Sequence, residues 1–213
     1  MYSDQQMKKL ENNLKQYVKS GCLSYKIDTQ GAYLNDIIKH SEHVTYYSLQ
    51  IAKALNLSDK ELKSLFESAV YHDIGKAVIP KKILFKTEKL NDYEISLIKS
   101  HSVIGSNYLL RNGYAEDVVN AANYHHEKYD GTGYPTGISG HNIPLFARII
   151  CVADAFDAMV SHRVYKEAKS IDFALNEIQK CKGTQFDPEI ADCFIWLIKN
   201  QYNNKKLSQV DNL

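Results

Sequence analysis

The sequence predicts an all-α fold, and three observations carry the prediction. Apolar residues recur at helical spacing in one segment after another. Helix-start signals stand at Ser58 with Glu61, at Asn91 with Glu94, and at Asp187-Pro188. No stretch alternates apolar and polar residues between turn signals as a half-buried strand would. The 213 residues suffice for one sizeable core, and no internal repeat or low-complexity tract divides them.

In chain order, Met7, Leu10, Leu14, Tyr17 and Val18 make residues 4–20 a surface helix ended near Gly21, suited to packing or to a homodimer contact. A long amphipathic helix follows from Tyr33 to Leu55, with Asp36, His40 and His43 along one side of it. That stack suits metal ligands, and an exposed polar stripe explains the segment alone equally well. The Ser58–Glu61 capping signal opens a helix whose stripe is Leu62, Leu65, Phe66, Ala69 and Val70, and His72, Asp73 and Lys76 continue the same stripe. Ionisable groups at core positions need compensation, from a metal cluster or from an Asp73–Lys76 salt bridge.

Pro80 breaks the chain. Asn91 and Glu94 then start a helix with inner positions Ile95, Ile98, His101, Gly105 and Tyr108 or Leu109. Ala115, Val118, Val119 and Ala122 mark the next helix, closed by His125 and His126. The segment after it, HHEKYDGTGYP, enters a glycine-bearing loop that can bring backbone close to a ligand or simply turn. Pro144 opens a helix with Leu145, Ile149, Ile150, Val152, Ala153 and Phe156 as apolar residues, and Asp154 sits inside that run. Two more helices start at Ser170 and at Asp187-Pro188, and from Lys199 the polar tail is expected to fray. The boundaries expected are 1–32 for an N-terminal helical extension, 33–198 for the principal domain and 199–213 for the tail.

Composition excludes several classes. A formal charge of +1 with interspersed lysines and glutamates offers no basic stripe for a nucleic acid polymer or a membrane surface. The apolar run from Leu145 to Val160 is interrupted by Arg148, Asp154 and Asp157, and residues 1–20 lack the apolar block of a signal peptide. A cytoplasmic protein is expected. Cys22, Cys151, Cys181 and Cys193 form no Cys-x-x-Cys pair, so neither zinc knuckle nor disulfide scaffold is indicated.

The anomalies share one chemistry. His40, His72, Asp73, His101, His125, His126 and Asp154 each fall near the inner face or end of a helix. Imidazole and carboxylate donors without thiolates suit iron, manganese, nickel or zinc, and point away from structural zinc. They outnumber the ligands one ion needs. Two or more ions sharing a carboxylate would stabilise the attacking and leaving oxygens of phosphodiester hydrolysis.

From Tyr33 to about residue 195 the sequence resembles an HD-GYP domain, a branch of the HD metal-dependent phosphohydrolases associated with cyclic dinucleotide degradation. The resemblance rests on His72-Asp73-Ile74-Gly75-Lys76, on HHEKYDGTGYP with Gly133, Tyr134 and Pro135, and on His40, His101, Asp154 and the Arg163–Lys166 segment in matching order. It implies an HD-type helical bundle with additional N- and C-terminal helices and a di- or trinuclear centre of iron or manganese, with nickel, zinc or magnesium as alternatives. Asp73 would bridge metals, His40, His72, His101, His125, His126 and Asp154 would complete the ligands, and Lys76 would hydrogen-bond near the nucleophile or a scissile phosphate. Arg163 and Lys166 would hold phosphate oxygens, or form a solvated helix end; Tyr134 and Pro135 would shape the loop over the site, or form a structural turn. Two positions depart from the family pattern. Asp36 stands where a glutamate serves the third metal, which leaves the metal count open, and His43 stands where arginine is common and reads as a second layer or surface residue. The activity implied is cleavage of cyclic di-GMP to pGpG or GMP; the alternatives are 3′,3′-cyclic GMP-AMP as substrate and an inactive cyclic dinucleotide receptor.

Overall fold

A computed structural model describes the backbone of residues 32–161 and 167–210, and the side chains of 39–161 and 167–201. The helix expected at 4–20, Cys22, Arg163, Lys166 and the side chain of Asp36 lie outside the described residues. Within them the chain is helical, with a single isolated β-bridge between Lys182 and Phe186. No helix among the described residues is long and apolar enough to cross a membrane.

Helix α1 spans Ala32–Ala54. Asn56, at φ 58°, turns the chain in the left-handed region that asparagine tolerates, and Leu57 N donates to Ala52 O at 3.0 Å to close the helix end. Helix α2 spans Asp59–Tyr71 and starts at the expected capping box, with Ser58 and Glu61 each satisfying the other's backbone N–H.

The stripe of α2 does not run on through Lys76. The α-helix stops at Tyr71, His72 caps it, and a 3-10 turn spans Ile74–Val78. Close packing requires the break: a Cβ on Gly75 would stand 1.9 Å from the His101 carbonyl oxygen and 2.7 Å from Gly105 N. The bare backbone of Gly75 thus presses Asp73 and Lys76 against the helix that carries His101.

After a short helix α3, Lys81–Leu84, which the sequence reading did not anticipate, the segment from Asn91 forms two helices instead of one. These are α4, Asp92–Lys99, and α5, His101–Arg111. The Asn91–Glu94 capping box is present. At the junction Ser100 Oγ donates to Leu97 O at 2.6 Å, a side-chain bond that competes with the helical ladder. The break corrects the inner-face assignment: Ile95 is exposed and Ile98 half-buried, whereas His101, Gly105 and Leu109 are buried.

Helices α6 (Glu116–Tyr124), α7 (Leu145–Val160), α8 (Ile171–Lys180) and α9 (Pro188–Val210) complete the described chain. The helix α9 continues across residue 199, where a frayed tail was expected. Helix α1 packs on α2 and α7, α2 and α5 pack on α6, and α9 covers α1, α7 and α8. Tyr47, Phe156 and Phe194 meet edge to face at 4.9–5.7 Å between ring centroids and lock α1, α7 and α9 together. Such pairs contribute about 0.5–1.5 kcal/mol each beyond their buried area. A second apolar cluster of Tyr71, Leu109, Val118 and Ala122 joins α2, α5 and α6. The two clusters leave the polar residues of α1, α2, α5, α6 and α7 facing one another between them.

Candidate metal centre

Asp73 stands at the centre of those residues and divides them. Its Oδ1 lies 3.2 Å from His101 Nε2 and 3.6 Å from His125 Nε2. Its Oδ2 lies 3.4 Å from His72 Nε2, 3.7 Å from His40 Nε2 and 2.5 Å from Lys76 Nζ. Two donor groups result, Asp73 with His101, His125 and His126, and Asp73 with His40 and His72, the atoms of each within 4.8 Å of one another. Asp154 joins from α7, with Oδ1 3.2 Å from His40 Nε2.

Local structure sets the ring orientations. A carbonyl oxygen only accepts, so an imidazole nitrogen bonded to one must carry the proton. His72 Nδ1 donates to Ala69 O at 2.7 Å, His101 Nδ1 to Ile98 O at 2.6 Å, and His125 Nδ1 to Ala122 O at 3.0 Å. In its neutral form each such ring turns an Nε2 lone pair inward. His101 Nε2 and His125 Nε2 then face each other at 3.4 Å with a carboxylate oxygen beside them. His72 Nε2 and Asp73 Oδ1 are buried without a hydrogen bond. Buried acceptors pointed at acceptors are unfavourable unless a cation lies among them, so the donor set fits bound metal.

The electrostatics agree with that arrangement. Burial opposes the charge of Asp73, but Lys76, His72, His101 and His125 hold its carboxyl well below the usual carboxylate range. Burial is likewise outweighed at Asp154, chiefly by His40, and that carboxyl too is held well down. Burial draws the His125 imidazole down to about 4, and burial with the neighbouring His125 draws His126 well below its ordinary value, so both stay neutral donors near neutrality. His40 goes the other way: burial alone would lower it, but Asp154, Asp157 and Asp73 hold it well above.

The glycine loop closes one side. Gly133 lies so near the preceding segment that a Cβ there would be 2.3 Å from Lys128 N. Tyr134, joined to Pro135 by a cis peptide, stacks on His126 at 4.8 Å, and its backbone N donates to His126 O at 3.2 Å. Pro135 is half-buried beside it. Lys99 Nζ stands 5.1 Å from the Tyr134 ring centroid.

The structure thus brings together His40, His72, Asp73, Lys76, His101, His125, His126, Asp154 and Tyr134. Two further carboxylates belong to the same architecture, and the sequence reading did not assign them. Glu127, 2% exposed, accepts from Thr136 N at 2.7 Å, Thr136 Oγ1 at 2.8 Å and Gly137 N at 3.0 Å, folding the loop back beneath His126. Asp157 is fully buried one turn after Asp154 and accepts from His40 Nδ1 at 2.6 Å and His43 Nδ1 at 2.7 Å. The available signal was an acidic residue repeating Asp154 one turn later within an apolar helix. His43, half-exposed, touches Asp157 instead of the cluster, in keeping with its reading as a second-layer residue.

The fold and the centre define a class, and a sequence model described as HD domain matches residues 31–190: the chain belongs to the HD domain family. Among known proteins, it is similar to the cyclic di-GMP phosphodiesterase response regulator RpfG of Xanthomonas campestris, 40% identical over 156 residues, which are 72% of this chain and 41% of that protein. It is also similar to a cyclic di-GMP phosphodiesterase of Thermotoga maritima, 38% identical over 163 residues, 76% of this chain and 44% of the other. The crystal structure of a cyclic GMP-AMP specific phosphodiesterase of V. cholerae, V-cGAP3, superposes with a TM-score of 0.61 at 26% identity, over 76% of this chain and 44% of that one. The chain spans less than half the length of these relatives.

Proposed function

We propose that this chain is a metal-dependent phosphodiesterase that hydrolyses a cyclic dinucleotide, cyclic di-GMP first, to pGpG and/or GMP. The observation that carries the reading is Asp73, whose two oxygens face two separate sets of inward Nε2 atoms. His101, His125 and His126 would hold one divalent ion and His40, His72 and Asp154 the other, with Asp73 shared. Asp36, a turn before His40 on α1, would serve a third. Iron or manganese fits a donor set of imidazole and carboxylate. When bound, the ions supply Lewis-acid polarisation of the phosphodiester and of the attacking water.

In the reaction, a water oxygen bonds to phosphorus and the P–O3′ bond breaks, leaving a 5′-phosphate and a 3′-hydroxyl. The buried imidazoles hold the donor atoms fixed through their carbonyl bonds, so little reorganisation accompanies the chemistry. Lys76, paired to Asp73, places an ammonium where a phosphate oxygen would approach. Arg163 and Lys166 would grip the phosphates, and Tyr134 and Pro135 would line the rim beside His126.

The relatives named as cyclic di-GMP phosphodiesterases support cyclic di-GMP as substrate. The likeness to V-cGAP3 favours 3′,3′-cyclic GMP-AMP as a second reading. The test is turnover of both dinucleotides by anaerobically purified protein loaded with iron or manganese, with products separated by chromatography. Cleavage of one or both is expected; tight binding of both without cleavage would replace the enzyme by a receptor.

A further inference from the structure

His72, His101 and His125 lean on backbone carbonyls, but His40 leans on a carboxylate. Helix α7 supplies an acidic group to each nitrogen of that ring: Asp157 Oδ2 at 2.6 Å from Nδ1 and Asp154 Oδ1 at 3.2 Å from Nε2. Asp157 is itself anchored. Its Oδ1 accepts from His43 Nδ1 at 2.7 Å and from Ser161 Oγ at 2.6 Å, and the residue is fully buried. Both nitrogens face carboxylates, Nδ1 the nearer to its partner, and Nε2 stands 3.7 Å from Asp73 Oδ2 as well. A metal ion held by Nε2, Asp154 and Asp73 would take the place of the Nε2 proton and leave the remaining proton on Nδ1, donated to Asp157.

We infer that Asp157 is a positioning residue for the ion on the His40 side of the cluster, and that His43 and Ser161 hold its carboxylate in place. The inference rests on reading the cluster as a metal centre. A carboxylate behind an imidazole fixes its tautomer and increases its donor strength, and loss of such a partner lowers metal affinity about 10–100-fold. Asp157 should therefore act on one half of the centre and leave the other alone, which a role in stability would not do.

The experiment is chelator titration of manganese-loaded full-length protein, with bound metal counted by elemental analysis. Asp157→Asn should weaken one ion by about 10–100-fold and leave the other unchanged. His40→Ala should lose that same ion, so the double variant should resemble His40→Ala alone. His43→Gln and Ser161→Ala replace groups nearer the surface and keep the fold, and each should weaken the same ion by a smaller factor. Independently of any variant, zinc-loaded protein with ¹⁵N-labelled histidine should show the His40 proton on Nδ1. Retention of both ions at wild-type affinity in Asp157→Asn, equal loss of both ions, or a proton on His40 Nε2 overturns the inference. Wild-type protein that binds no ion overturns the metal centre itself, and the inference with it.

Discussion

The two sides of Asp73 are built differently. On the Oδ1 side, His101 begins α5 while His125 and His126 follow α6, two helices packed directly against each other, and the rings of His101 and His125 are set by carbonyls of their own preceding turns. On the Oδ2 side, His72 is likewise set by the Ala69 carbonyl, but His40 and Asp154 come from α1 and α7, far apart in sequence, and His40 is set by a side chain on the opposite helix. The Oδ1 half rests on local backbone geometry, whereas the Oδ2 half also depends on how α1 and α7 pack. Loss of tertiary packing should therefore disturb the His40 half first.

Asp73→Ala removes the group that joins the halves. It should release both ions and lower hydrolysis at least about 10³-fold, since metal polarisation contributes several kcal/mol to the transition state. Elemental analysis of the variant checks this, and retention of both ions would show that Asp73 is not shared.

His125→Ala and His40→Ala address one half each. Each should cost one ion and about 10²-fold in turnover, or roughly 3 kcal/mol. Metal counts on the two variants and their combination test the division: additive loss preserves it, whereas release of both ions by either variant would merge the halves.

Gly133→Ala drives a methyl into Lys128 N and Glu127 Cα. It should destabilise the fold by about 1–3 kcal/mol, the usual range for overpacking, and loosen the ion beside His126 while sparing the one beside His40. Thermal unfolding and chelator release read the two effects separately. Ser58→Ala removes the capping box of α2 at a cost of about 1 kcal/mol. It should lower the melting temperature and leave turnover and metal content unchanged, a control showing that lost stability alone does not empty one half.

Much of this was legible in the chain because the relevant physics is local. The capping boxes at Ser58–Glu61 and Asn91–Glu94, the helix from Ser170 and the acidic residue inside the apolar run of α7 all stand where the pattern placed them. The stripe of α2 was overextended because periodicity does not register that Gly75 must touch α5 without a side chain between them. The same blindness joined α4 to α5, since Ser100 carries no strong breaking signal. Asp157 passed as an interruption of an apolar run, because its value lies in two imidazoles more than a hundred residues earlier.

By itself, the sequence determined the helices and the kinds of donor available, because spacing and side-chain chemistry act over a turn or two. The tertiary structure alone decided which nitrogen of each imidazole points inward, which oxygen of Asp73 serves which neighbours, and that Asp157 stands behind His40. Those choices depend on distances between segments remote along the chain, set only once the helices pack.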